Sequence, residues 1–184
     1  MKKDRLKYNK FQSQLDLPFL ETPDKCLPEI FNVLDIRFGL RRDSNQKLVD
    51  LGSGTGQVII FSAISYHIKS FGIEINQELI KEAKTRIKVI KKEKSTYRKY
   101  LKKIKLLNID FYQGNLYRFD FIYIYSLPTM QRYLKHIFLT AKEDAVIISY
   151  KYPLMDFEEV LDFKYKLESG EGEHKIIAFF YKKI

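Results

Sequence analysis

Three glycines at alternate positions, Gly52, Gly54 and Gly56, follow the short apolar run Leu48-Val49-Asp50-Leu51 and precede an apolar segment from Val58 to Ile68. A strand that ends in glycines just before a helix lets backbone N–H groups approach a ligand with no Cβ in the way. Spacing narrows the choice of ligand. A dinucleotide fingerprint, G-x-G-x-x-G, would need its third glycine at position 57, which is Gln57. The third glycine stands at 56 instead, giving G-x-G-x-G, and Asp50 precedes the first glycine by two residues.

The flanking sequence reads as alternating strands and helices. Thr22-Pro23-Asp24 offers a capping hydroxyl and a proline for the first turn of a helix running to about Phe38, with Leu27, Ile30, Phe31 and Leu34 on its buried face. Ser70 to Ile75 is a short strand, and Asn76 caps the next helix. The apolar positions Leu79, Ala83, Ile87, Ile90, Tyr97, Leu101 and Ile104 keep to one face, which predicts one unusually long helix. Strand-like runs recur at 105–112, 119–125, 145–150, 161–167 and 175–182, with a helix over 128–140. Such alternation implies an α/β fold: a Rossmann-like, doubly wound, seven-stranded sheet. Ser169-Gly170-Glu171-Gly172 joins the last two strands directly, so the sheet should end in an antiparallel C-terminal hairpin.

At 184 residues with 45% apolar side chains, the chain suits one domain over 1–184, with an N-terminal segment and helix at 1–40 and a ligand-binding core at 47–184. A mean hydropathy of −0.31 and short apolar runs predict no transmembrane segment, and the first residues do not read as a signal peptide. Cys26 is the single cysteine, which excludes an internal disulfide framework and a cysteine metal cluster. The expected compartment is cytoplasmic, and no metal site is expected.

The stretch Asp50-Leu51-Gly52-Ser53-Gly54-Thr55-Gly56 resembles motif I of the class I, seven-strand S-adenosylmethionine-dependent methyltransferases. The ligand fits the residues: an acid at the strand end suits an α-amino group, and glycine N–H groups let the loop lie against a methionyl chain that carries no pyrophosphate. The resemblance implies S-adenosyl-L-methionine as cofactor and S-adenosyl-L-homocysteine as product. Glu74, ending the next strand in Gly72-Ile73-Glu74-Ile75-Asn76, takes the acid that accepts the ribose hydroxyls. Asn115, in Gln113-Gly114-Asn115-Leu116, stands where many relatives carry an aspartate against the adenine amino group. The cofactor-binding set is then Thr22, Asp50, Gly52, Ser53, Gly54, Gly56, Glu74, Ile75, Asn76, Asn115 and Leu116. Thr22 reads equally as a helix cap.

Leu20 to Lys25 and Gly114 to Asp120 are similar to the small archaeal protein lysine methyltransferases. Ile124 to Met130 is similar to the ATP-synthase c-subunit lysine methyltransferases. That likeness implies methyl transfer to a protein lysine, with Tyr125, Ser126 and Pro128 on the acceptor side; no residue of the chain reads as a general base. The same residues read equally as an aromatic strand end and a proline opening a helix. His67, His136 and His174 read as structural. Two features keep other substrates open. The region between Glu74 and Asn115 is longer than expected for those relatives, and residues 76–105 hold 12 basic side chains against three acids in a chain of net charge +10. This basic helix, 77–105, is either a solvated face or a surface for nucleic acid, an acidic protein or an anionic membrane. The Lys-rich residues 2–10 raise the same membrane question. RNA or DNA methylation is therefore the alternative, then a small-molecule acceptor, then a non-enzymatic basic module.

Overall fold

A computed structural model describes residues 20–172 and 175–184. The Lys-rich residues 2–10 and His174 lie outside them. Seven strands, β1 (Lys47–Leu51), β2 (Lys69–Glu74), β3 (Ile104–Asn108), β4 (Phe121–Ile124), β5 (Val146–Tyr150), β6 (Leu161–Ser169) and β7 (Ile176–Lys183), form one sheet in the order β3-β2-β1-β4-β5-β7-β6. The first five run parallel, and β7 pairs antiparallel with both β5 and β6. The expected doubly wound sheet with its terminal hairpin is what the chain forms.

Helices cover both faces. They are α1 (Leu27–Phe38), α2 (Gln57–Ser65), α3 (Gln77–Glu93), α4 (Arg98–Leu101), α5 (Pro128–Gln131) and α6 (Lys135–Phe138). Strand residues alternate between the two layers, as the period-2 pleat requires. Leu48, Tyr123 and Ile148 pack under Leu27, Phe31 and Ile59 of α1 and α2. Val49, Ile122 and Ile147 face Leu134, Ile137 and Phe138 on the other side. Strand order reverses beside β1, whose neighbours are β2 and β4, so the crevice at the carboxyl ends of these strands is the place where open sheets bind ligands.

The single long helix is not formed. After Glu93 the backbone leaves the helical region at Lys94 (φ −124°, ψ 85°), turns through 3₁₀ residues Ser95–Tyr97 and resumes as α4. Ser95 and Thr96 are weak helix formers whose hydroxyls compete for backbone partners. The turn brings Leu101 onto Ile60 and Ile87, with Ile90, Tyr97 and Ile104 against them. The apolar spacing thus belonged to two segments folded over one cluster. The helix expected over 128–140 is likewise divided into α5 and α6, which still bury Met130, Ile137 and Phe138.

Candidate active site

Asp50 and Tyr123 are register partners on β1 and β4, so both point to the same side of the sheet. Asp50 is 4% exposed, and burial, then the Glu74 charge, push its carboxyl up to about 8. Among the described residues no N–H or O–H donates to it. Beyond Leu51 the chain turns sharply: the N–H groups of Gly52 and Ser53 both donate to the Ile73 carbonyl (2.9 and 3.0 Å). Gly52 has φ +80°, and nothing lies within 4 Å of where its Cβ would be. The loop is thereby held to β2 while its outer side stays open.

Glu74 anchors the next part of the loop. Its Oε2 accepts the Gly54 N–H and its Oε1 those of Ile75 and Asn76, each at 2.9 Å. Asn108 supports this turn from β3, its Nδ2 donating to the carbonyls of Glu74 and Ile75 (both 3.0 Å). Asn76 caps α3 through the Glu78 N–H, as its position predicted. Ser53, with no hydrogen-bond partner for its Oγ, packs over Gly72, where an added Cβ would come within 2.5 Å of that oxygen.

Thr22 does not cap a helix. Its hydroxyl instead meets the Tyr123 hydroxyl at 2.8 Å in a buried contact across the sheet. The strap around it is fastened to the glycine loop, because Thr55 Oγ1 donates to Glu21 Oε1 at 2.5 Å. Arg86 of α3 reaches the same strap, 3.1 Å from Asp24 and 3.8 Å from Glu21. Under the strap lies a narrow cleft of about 20 Å³, with Leu20, Thr22, Asp50, Ser53, Gln57 and Tyr125 among its walls.

The residues expected on the acceptor side belong to an aromatic group at the ends of β4 and β5. Tyr125 meets Tyr150 edge-on with ring centroids 4.9 Å apart and lies 6.4 Å from Tyr152. Ser126 Oγ is buried here without a partner, and Pro128 opens α5. Burial holds the Tyr123 and Tyr150 phenols well above their usual range, Tyr150 also by its bond to Cys26 Sγ (3.4 Å), so both stay neutral.

The residues expected on the adenine side are arranged less openly. Asn115 is exposed, and its Oδ1 accepts the Tyr117 N–H at 2.9 Å. Leu116 is fully buried, its N–H taken by Thr140 and its carbonyl by Phe119. Ile75 is 52% exposed beside Glu74. His67 bonds Asp43 (2.9 Å) and His136 bonds the Tyr112 carbonyl (3.0 Å), so both are tied into the fold away from the cleft. Sequence reasoning assigned no role to Tyr123, Glu21, Arg86, Tyr150 or Tyr152. Only Tyr123 carried a signal, standing two residues before Tyr125 and so on the same strand face.

An acid without a donor, an open glycine cradle and a second acid one strand over fit a ligand bearing an ammonium and a vicinal diol. Fold and site together define a class I, S-adenosylmethionine-dependent methyltransferase. The ANTKMT methyltransferase domain matches residues 50–160, and the chain belongs to that family. No curated protein matches the chain. Among solved structures, an RNA methyltransferase from Salinibacter ruber in complex with S-adenosyl-L-homocysteine is similar at TM-score 0.68 and 18% identity, covering 89% of this chain and 93% of that one. A putative transferase from Pyrococcus horikoshii is similar at 0.64 and 14%, covering 89% of this chain and 64% of that one. An S-adenosylmethionine-dependent methyltransferase from Aquifex aeolicus is similar at 0.57 and 15%, covering 89% and 100%. At such identities these three share the fold. Among the described residues no helix is long and apolar enough to cross a membrane.

Proposed function

We propose that this methyltransferase acts on the side-chain amine of a protein lysine, with residues 1–184 working as one catalytic domain. The observation that carries this reading is Tyr125, which lines the cleft that holds Asp50 and is backed by the rings of Tyr150 and Tyr152. Aromatic rings packed around a lysine side chain strip water from its amine. An amine must lose its proton before it can attack. From a reference pKa of about 10.4, that costs roughly 4–5 kcal/mol at pH 7. Desolvation among the tyrosines lowers the cost, since burial disfavours the charged form.

S-adenosylmethionine supplies a methyl on a sulfonium, which passes to the amine lone pair as the C–S bond breaks and its electrons stay on sulfur. Asp50 would hold the ammonium of that cofactor, Glu74 its ribose hydroxyls, and Gly52, Ser53, Gly54 and Gly56 its methionyl chain. Thr22 would close over it, with Ile75, Asn76, Asn115 and Leu116 on the adenine side. Tyr125, Ser126 and Pro128 would shape the lysine channel, Ser126 offering its unpartnered hydroxyl to the amine. Alignment of amine, methyl and sulfur supplies much of the rate.

The test is incubation with methyl-labelled cofactor and cell extract, followed by protease or nuclease. Label released by protease alone, and found on lysine by mass spectrometry, supports the reading. Release by nuclease alone overturns it.

A further inference from the structure

The concentrated positive charge does not border the cleft. Helix α3 starts next to Glu74 and runs back along the sheet for 17 residues, about 25 Å at the usual rise. Its basic end, the turn after it and α4 therefore sit at the opposite end of the molecule, where the Ser70 N–H bonds the Lys103 carbonyl. Residues 91–105 hold eight cations, Lys91, Lys92, Lys94, Arg98, Lys99, Lys102, Lys103 and Lys105, against Glu93 alone. Among the described residues none of the eight is ion-paired to a carboxylate. The pKa of Lys99 is raised first by its hydrogen bond to the Tyr100 hydroxyl and only in small part by Asp43, itself bonded to His67.

Tyrosines are interleaved with the cations. Lys94 lies over the Tyr97 ring at 5.7 Å and Lys99 over Tyr100 at 4.6 Å. Tyr100 is in turn stacked on His67 at 3.5 Å, which fixes the ridge. Ser95, Thr96 and the tyrosines line a shallow groove with Arg98 and Lys102. The surface lacks what a protein or membrane partner would ask of it. From residue 90 to residue 108 no large apolar side chain is exposed, and Val89, one turn before the end of α3, is exposed singly, whereas protein interfaces are anchored by buried aromatic and aliphatic residues, and amphipathic membrane binding needs an apolar face. Hydroxyls and unpaired cations in a row are the groups that hold phosphates and sugars.

We propose that this end of the molecule binds the phosphate backbone of a nucleic acid strand, as a docking surface separate from the methylation site and independent of which acceptor is methylated. The cations bind phosphates in sequence-independent fashion. A strand seated here lies too far from the cleft to be the acceptor at the contact point, so the surface tethers the enzyme instead.

The experiment is fluorescence anisotropy of the full chain with a labelled 20-nucleotide oligouridine between 50 and 300 mM salt. The K92E/K94E/K99E/K102E variant changes four exposed lysines. It should keep its cofactor affinity by calorimetry, which shows that it is folded. It should bind oligouridine about a hundredfold more weakly, with a salt slope smaller by about 3, four contacts at roughly 0.7 each. Undiminished binding by the variant would overturn the proposal. So would absence of binding at 50 mM salt, or displacement of the strand by an equal charge of polyglutamate or of phosphatidylserine vesicles.

Discussion

At Asp50 the requirements of ligand binding and of folding oppose one another. Its carboxyl rises from 3.8 to about 8 on folding, through burial first and the Glu74 charge second. An acid that holds its proton more tightly in the folded chain costs nothing below its unfolded pKa and subtracts stability as pH rises towards the folded one. Each unit is worth ~1.36 kcal/mol, so the loss is about 4 kcal/mol at pH 7 and approaches 6 kcal/mol beyond pH 8. Asp50→Asn keeps the shape and removes the ionisation. Without ligand it should be more stable than the parent, and the difference should grow with pH. In a chain of this size each kcal/mol moves the midpoint by about 2–4 °C. Calorimetric melts of the two proteins should therefore diverge by roughly 10 °C between pH 5 and pH 8. A gap that stays constant with pH would refute the argument. Binding gives the converse signature. A cationic ligand needs the ionised acid, so cofactor affinity should rise nearly tenfold per unit below pH 7 and level off near pH 8, with a proton released. Asp50→Asn should bind far more weakly and show neither the slope nor the proton, which calorimetry in buffers of different ionisation heat reads directly.

Glu74→Gln turns an amide N–H₂ against the N–H groups of Gly54 or of Ile75 and Asn76, and should weaken cofactor binding at least tenfold, a charged hydrogen bond being worth about 1.5–3 kcal/mol. Arg86→Ala removes two partly exposed ion pairs and should cost under about 1 kcal/mol of stability, but it frees the strap, so stopped-flow should show cofactor leaving several-fold faster. Gly72→Ala drives a methyl to within 2.5 Å of Ser53 Oγ and 2.9 Å of its Cβ, and should destabilise by about 1–3 kcal/mol in urea, with Ser53→Gly in the same chain restoring most of the loss. Tyr125→Ala should lower turnover on a protein acceptor while leaving the cofactor Kd within a few-fold, as measured by labelled methyl transfer and calorimetry.

What the sequence revealed was local in the backbone. The turn after Leu51 depends on residues within a few positions of each other, so the glycine loop behind Asp50 could be placed from spacing, while the part expected of Glu74 rests on family resemblance. Pairings across the fold could not. Tyr123 belongs to the site because β4 lies beside β1, 73 residues away along the chain from Asp50. The Thr22 hydroxyl looked like a cap because a proline follows it; the buried phenol of Tyr123 is the partner it takes. The break at Lys94 was hidden by the seven-residue step from Ile90 to Tyr97, which keeps helical phase whether the helix continues or turns and resumes. Arg86 looked like one more cation of a basic helix. Its partners, Glu21 and Asp24, lie before the first helix and meet it only because α3 passes beside the strap.

The two acids of the site are distinguished by their surroundings, and this bears on how the cleft is charged before a ligand arrives. Three backbone N–H groups converge on Glu74 and none on Asp50, although both are over 90% buried. Two nearby carboxylates in a poorly solvated site repel, and the one without donors takes the proton. The Asp50 end of the cleft is then largely uncharged near pH 7. The Gly54 N–H bound to Glu74 also fastens the glycine loop in the shape that leaves Gly52 open. A cation entering beside Asp50 would displace its proton and restore the second charge only while bound. Selectivity for the sulfonium cofactor over its neutral-sulfur product then has a source in the residues themselves. If Asp50 holds the ammonium as proposed, the product keeps that group but loses the charge at sulfur, so one of the two attractions that drive the proton from Asp50 disappears on transfer. Cofactor affinity should therefore exceed product affinity by more at pH 9, where Asp50 is ionised, than below pH 7, where it holds its proton, a comparison that separates this account from simple shape complementarity, which predicts the same ratio at both.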